Sequence, residues 1–293
     1  MNRTTYHKHL NKLNLILKTL TVLIVLLMVY SCRKSSASKS NFIEAIKKGE
    51  HDRIEDLIEV GEDVNQLDYS SDDTPLILAI GNRDKKMVEI LLDASADVNK
   101  KGKDCAPIHS VSYRCQIEIM KLLIEAKANL DDTTLWNNST PLEISLHNNN
   151  LDCAKLLIKN GASIDKLPTS KFISHIASRG YLETLKYLLD ELRIPFTNEE
   201  SRLALIYSTR AGEIWTLQYL LKKNNDVNFL DDYGDAPLHI AAQIGNVSIL
   251  NLLINANADL NLKNRHGETA LDIAIKKKNF AMADILKNSR AAE

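Results

Sequence analysis

Gly234-Asp-Ala-Pro-Leu-His-Ile-Ala-Ala-Gln-Ile-Gly245 is the stretch that decides the fold. The proline of its Ala-Pro-Leu-His-Ile-Ala core suits the first turn of a helix. Its missing N–H leaves no bond unmade there, and its φ is preset. The apolar run is short and stops at Gly245, a residue suited to the left-handed conformation that ends a helix. A second apolar set at helical spacing follows: Ile249, Leu250, Leu252 and Leu253. The stretch reads as a helix, a tight turn and a second helix. Helices this short do not stand alone in water, so the pair needs neighbours to bury its apolar side.

The rest of the chain supplies them. The hexapeptide recurs as Thr74-Pro-Leu-Ile-Leu-Ala79, Ala106-Pro-Ile-His-Ser-Val111, Thr140-Pro-Leu-Glu-Ile-Ser145 and Thr269-Ala-Leu-Asp-Ile-Ala274. In four of the five copies a polar punctuation starts 18 residues after the last position: Asp97-Val-Asn99, Asn129-Leu-Asp131, Ser163-Ile-Asp165 and Asp259-Leu-Asn261. Three weaker copies fall in phase, at Phe42 to Ala45, Phe172 to Ala177 and Leu203 to Ser208. Repeat starts near 40, 74, 106, 140, 172, 203, 236 and 269 give intervals of 34, 32, 34, 32, 31, 33 and 33. So regular a period marks a stack of repeats, in which each packs only on its neighbours.

Pattern and period resemble those of the ankyrin-repeat family, whose signature is Thr-Pro-Leu-His-x-Ala at a period of about 33. The resemblance covers residues 40–293. It implies an all-α fold, an ankyrin-repeat solenoid of about eight helix–turn–helix repeats with β-hairpin-like fingers. Thr74, Thr140 and Thr269 stand where a hydroxyl can cap the first helix of a repeat. Gly49, Gly180, Gly212 and Gly245 stand at the turn between its two helices. His109, His175 and His239 take the signature His position, which implies an imidazole bonded locally to hold the turn. Repeat 5 departs furthest, with no Thr-Pro and with Glu191-Leu-Arg-Ile-Pro-Phe196 where Gly-Ala-Asp-Val-Asn is expected. It should be the weakest interface in the stack. Repeat 1, with its charged second helix, and repeat 8, with Lys276, Lys277, Lys278 and Lys287, read as polar caps.

Residues 1–39 are an address and a tether. Residues 1–31 pair a basic start with the mostly apolar run from Thr19 to Tyr30, the order of a secretory signal. Val29-Tyr-Ser-Cys32 resembles the bacterial lipobox, which implies cleavage before Cys32 and a lipid on its sulfur; Tyr30 is larger than the pattern prefers. Residues 32–39 then form a polar tether. The alternative is a membrane anchor over residues 13–30, about long enough to span. Either reading places the folded body on a membrane, at its periplasmic or extracellular face.

Composition narrows what the body does. At 44% hydrophobic and 26% charged residues it folds as a soluble domain. Four of the 37 basic residues (Arg3, Lys8, Lys12 and Lys18) precede residue 32, which leaves 33 against 38 acidic ones, a net of −5. A mildly acidic body offers nucleic acid no long-range attraction, and none is expected as a partner. The sequence holds no HExxH, GxSxG, GxxxxGK[ST] or strand-borne GxGxxG, so no catalytic residue, metal or cofactor is assigned. The acidic pairs Asp72-Asp73, Glu199-Glu200 and Asp231-Asp232 fall between repeats as solvated loops. Cys153 reads as a buried inert thiol, and no disulfide joins Cys105 to Cys115.

Ankyrin-like stacks bind proteins through finger tips and inner helices, the concave face of the solenoid. Carried over position by position, the tips here include Trp136, Tyr233, Arg265 and His266. The inner helices contribute Tyr113, Arg114, His147, Arg179, Arg210 and Gln243. Trp136 stands out, because aromatic and arginine side chains dominate interface hot spots. Trp215 falls on a second helix and reads as packing. The functional expectation is a monomeric, membrane-tethered, non-catalytic scaffold for a protein partner, with inhibition of a secreted toxin or lipase as one role. The alternative is an intracellular or host-delivered ankyrin effector, which needs no cleavable signal.

Overall fold

The computed structural model describes residues 41–167, 169–223 and 226–290. Among them are sixteen helices in eight pairs and no strand. Helix α1 spans 41–48 and α2 His51–Glu59; α3 Pro75–Gly81 and α4 Lys85–Asp93; α5 Pro107–Arg114 and α6 Ile117–Glu125; α7 Pro141–His147 and α8 Leu151–Lys159. There follow α9 Thr169–Ser178 and α10 Leu182–Lys186; α11 Asn198–Ala211 and α12 Ile214–Lys223; α13 Pro237–Ile244 and α14 Val247–Asn255; α15 Ala270–Lys276 and α16 Phe280–Arg290.

Two compact units form. The first holds the described residues up to Val111 with Gln116–Asn138, and the second holds Ser112–Cys115 with the described residues from Ser139 onward. In the first, α2 packs on α4 and α4 on α6. In the second, the first helices α7, α9, α11, α13 and α15 pack side by side, and the second helices α10, α12, α14 and α16 do the same. Phe42, Ile46, Leu76, Ile80, Met87 and Leu123 are buried in the first unit, and Leu146, Leu157, Leu205, Leu217, Ile249 and Leu253 in the second. Each such side chain contributes about 1.5–3 kcal/mol by leaving water.

The punctuation residues act as the sequence anticipates. Thr74 Oγ1 accepts from the Ile77 N–H at 3.3 Å and Thr140 Oγ1 from the Glu143 N–H at 3.2 Å. Thr269 and Asp272 cap each other reciprocally. Gly49, Gly180, Gly212 and Gly245 are left-handed, with φ between 69° and 83°. Arg83, Cys115, Asn149 and Lys278 take the same turn in the other four repeats at φ of 48–59°, so half the repeats carry the strain of a side chain there. The Asn of the polar punctuation links repeats. Asn65, Asn99 and Asn228 each accept, through Oδ1, the N–H of the next punctuation (Asp97, Asn129 and Asp259) at 2.7–2.8 Å.

Four features differ from the sequence reading. First, α11 begins at Asn198, ahead of residue 203, because Thr197 and Glu200 form a capping box. Glu199 and Glu200 are therefore helical, and Glu200 is buried. Second, that early start uses residues that build a finger elsewhere. The preceding helix α10 instead runs into a π turn at Tyr187–Glu191. Third, α9 starts at Thr169, which puts His175 in mid-helix, away from the turn that a signature His would hold. Fourth, Cys153 is not a free thiol. It forms a disulfide with Cys115 across a Cα–Cα distance of 5.6 Å, because the turn after α5 meets the first turn of α8 within the second unit. Cys105 is the free cysteine among the described residues. Cys32 and the apolar run over 13–30 lie outside them, and no helix among the described residues is long and apolar enough to cross a membrane.

Candidate protein-binding face

Fingers are short turns that an Asx side chain organises. At the finger of residues 231–235, Asp231 Oδ1 accepts the N–H groups of Tyr233 and Asp235, both at 2.9 Å. Asn264 Oδ1 does the same for His266 and Glu268, at 2.9 and 3.0 Å. In the first unit Asp68 accepts from the Ser70 and Ser71 hydroxyls and from Lys47 at 2.6–2.9 Å. Burial alone would raise the pKa of Asp68, but these bonds outweigh it and hold the carboxyl well below the usual carboxylate range. With its backbone bonds taken up inside the turn, each tip can present its side chains outward.

Tyr233 is 65% exposed at such a tip. The Arg210 guanidinium, in the last turn of α11, lies 5.3 Å from its ring centroid and pairs with Asp231 at 2.9 Å. Gln243 of α13 donates to Asp235 at 2.8 Å, and Asn264 donates to the same carboxylate at 3.0 Å. Arg265 ties the two fingers together: its backbone N–H donates to the Gly234 carbonyl at 3.1 Å, and its guanidinium donates to the Asp232 carbonyl. Gly234 is required here, because at φ 78° a Cβ would stand 2.6 Å from the Arg265 side chain. Of the residues singled out in the sequence, the structure thus brings Arg210, Tyr233, Gln243, Arg265 and His266 into one network in the second unit.

The others stand elsewhere. Trp136 lies in the first unit, 74% exposed at a finger tip beside exposed Leu135, whose N–H donates to the Asp104 carbonyl at 3.0 Å. Tyr113 and Arg114 are exposed at the end of α5, where Asn150, just ahead of α8, donates to the Tyr113 carbonyl at 3.0 Å. His147 stacks on His175, ring centroids 3.9 Å apart and planes 7° from parallel. Burial, then His147, then Arg179 hold the His175 pKa below its ordinary value. Arg179 itself is exposed. His109 and His239 do hold turns: each Nδ1 accepts from the N–H three residues back, Ala106 at 3.2 Å and Ala236 at 3.0 Å.

Two aromatic residues stand apart from the sequence reading. Trp215 is 72% exposed on α12 and so is not packing. Position could have shown this, since residues one turn-register apart in α8, α10 and α14 (Asp152, Glu183 and Ser248) are all polar and exposed. Tyr69, passed over in the sequence, is 77% exposed at the finger after repeat 1. That finger carries an extra residue between its Asp and its capping Thr, which shifts Tyr69 out of phase with Tyr233.

Comparison with known proteins agrees with this architecture. The family model "Ankyrin repeats (3 copies)" matches residues 42–134, 100–168 and 205–293. An ankyrin repeat protein of Fowlpox virus (strain NVSL) is 33% identical over 120 residues, which is 39% of this chain and 35% of that protein. The ankyrin repeat and KH domain-containing protein mask-1 of Caenorhabditis elegans is 26% identical over 163 residues, 54% of this chain and 6% of that protein. The chain therefore spans about a third or less of these relatives' length. The crystal structure of the human ASB11 ankyrin repeat domain shares the fold, with a TM-score of 0.61 at 24% identity over 74% of this chain and 97% of that one.

Proposed function

The chain belongs to the ankyrin-repeat family, and from that premise we propose that it is a membrane-tethered, non-catalytic scaffold which holds a protein partner on its finger tips and first helices. One observation carries the reading. Trp136 and Tyr233, large side chains that a folded chain normally buries, stand 74% and 65% exposed at the tips of ordered fingers. Around Tyr233, Arg210, Gln243 and Arg265 are already fixed by bonds within the chain, so binding there orders few side chains anew.

The tether is the finer part of the proposal. Cys32 is the lipidated residue, residues 32–39 the spacer, and the body faces the periplasm or the cell exterior as a monomer. The Cys115–Cys153 disulfide supports this side of the membrane, because disulfides persist in oxidising compartments. A body held there could keep a secreted toxin or lipase inactive.

Two experiments test these halves separately. Cells labelled with a clickable fatty acid should mark the wild-type protein and not Cys32→Ala; equal labelling would end the lipoprotein reading. Capture of a protein by the full-length chain, lost on Tyr233→Ala, is expected for the binding face. Capture that survives both Trp136→Ala and Tyr233→Ala would contradict it.

A further inference from the structure

Charge is not spread evenly over the second unit. Six first helices contribute to it, and the two residues before the left-handed turn that ends each of them include Arg114, His147, Arg179, Arg210, Lys276 and Lys277, all exposed. Neither of these two positions holds an acidic residue in any of the six repeats. The chain from residue 32 onward is nonetheless net acidic, with 33 basic against 38 acidic residues. Carboxylates do approach the row: Asp235 accepts from Gln243 at 2.8 Å, and the Glu213 carboxylate lies against the Gly180 turn next to Arg179. Asp231 pairs with Arg210 and Glu268 with Lys276, but the side chains of the two bases stay 42% and 71% exposed against 8% and 27% for their acids. Between them, every charged or titratable side chain that shifts His175 is basic, namely His147 and Arg179.

We infer that the row fits an acidic polypeptide segment of the partner, with aspartate or glutamate carboxylates answering Arg114, Arg179, Arg210 and the Lys276–Lys277 pair. Packed helices stand about 8–10 Å apart, and an extended chain advances about 3.3 Å per residue, so a carboxylate at about every third residue matches the spacing. Helix C-termini favour cations, which lets the fold hold this charge at little cost until a partner meets it. The inference rests on the reading of this face as the partner-binding one. Complementary charge there acts mainly on association rate and on choice of partner.

The full-length protein in detergent can be titrated with a fluorescent peptide of about six Glu-Gly-Ser units, chosen for the spacing above. Its Gln-Gly-Ser counterpart and a single-stranded oligonucleotide of equal charge serve as comparisons. The Glu peptide should bind and the Gln peptide should not, and raising salt from about 0.05 to about 0.3 M should weaken binding severalfold. The double variant Arg179→Glu/Arg210→Glu should lose about tenfold in affinity. Lys159→Glu/Lys222→Glu, with the same charge change on second helices, should lose less than about twofold. Failure of the Glu peptide to bind, equal losses in the two double variants, or tighter binding of the oligonucleotide would overturn the acidic-partner inference. A captured partner distinguishes this failure from failure of the face itself. If its binding falls with Tyr233→Ala but ignores Arg179→Glu/Arg210→Glu, the face stands and its acidic partner does not. If neither variant changes its binding, the face falls as well.

Discussion

Asp68 and Asp231 stand at the base of two fingers, and each carboxylate gathers the polar groups of its own turn. The bonds that depress the Asp68 pKa make it a stability determinant with a defined sign. A carboxylate depressed in the folded state stabilises above its unfolded pKa, near 4, and loses that contribution as pH falls toward the folded value. Asp68→Asn should therefore lower the melting temperature at neutral pH and much less at about pH 2. An unchanged difference at the two pH values would contradict this account of the finger. At the exposed tips the expected effect is on binding instead. Trp136→Ala or Tyr233→Ala should weaken partner binding by about 2 kcal/mol, roughly thirtyfold, with little change in melting temperature. Arg114→Ala and Arg210→Ala should act mainly through association rate and its salt dependence.

At the scale of helices, repeat 5 holds the least regular backbone. The π turn at Tyr187–Glu191 and the irregular run to Thr197 replace the finger that other repeats bond shut. Amide exchange should accordingly show residues 187–197 opening before α13 and α14, and uniform protection along the second unit would refute it. The disulfide next door works the other way. Cys115 and Cys153 close a loop with a sequence separation of 38, which corresponds to up to about 4 kcal/mol of restricted unfolded chain. Reductant should lower the melting temperature of the wild type and leave that of Cys115→Ser unmoved; identical melts of the wild type with and without reductant would contradict the pairing. Helices of this kind were legible where Thr-Pro or a turn glycine announced them. The early start of α11 was not, because its signal, Thr197-Asn-Glu-Glu200, is a capping box lying outside the repeat phase. The Cys115–Cys153 pair was not legible either, since it joins a turn in one repeat to a helix in the next, and only the stacked backbone brings them to 5.6 Å.

For the molecule as a whole, the period alone determined the eight helix pairs and their order, since each repeat must bury its apolar side on the next. It also placed Tyr233, Arg210, Gln243 and Arg265 together, because positions of equal phase in successive repeats become neighbours. Phase says less about exposure, which is why the pattern reads Trp215 as packing and gives no sign of exposed Tyr69. Trp215 serves as the natural control: it is as exposed as Trp136 but sits on a second helix and not in a finger. The most direct test of the binding face is calorimetry of partner binding to Tyr233→Ala, Trp136→Ala and Trp215→Ala, each shown to be folded. Affinity should fall about thirtyfold for a fingertip variant and remain within about twofold of wild type for Trp215→Ala. Loss of binding in Trp215→Ala, with both fingertip variants at wild-type affinity, would put the partner on the second helices and contradict the account.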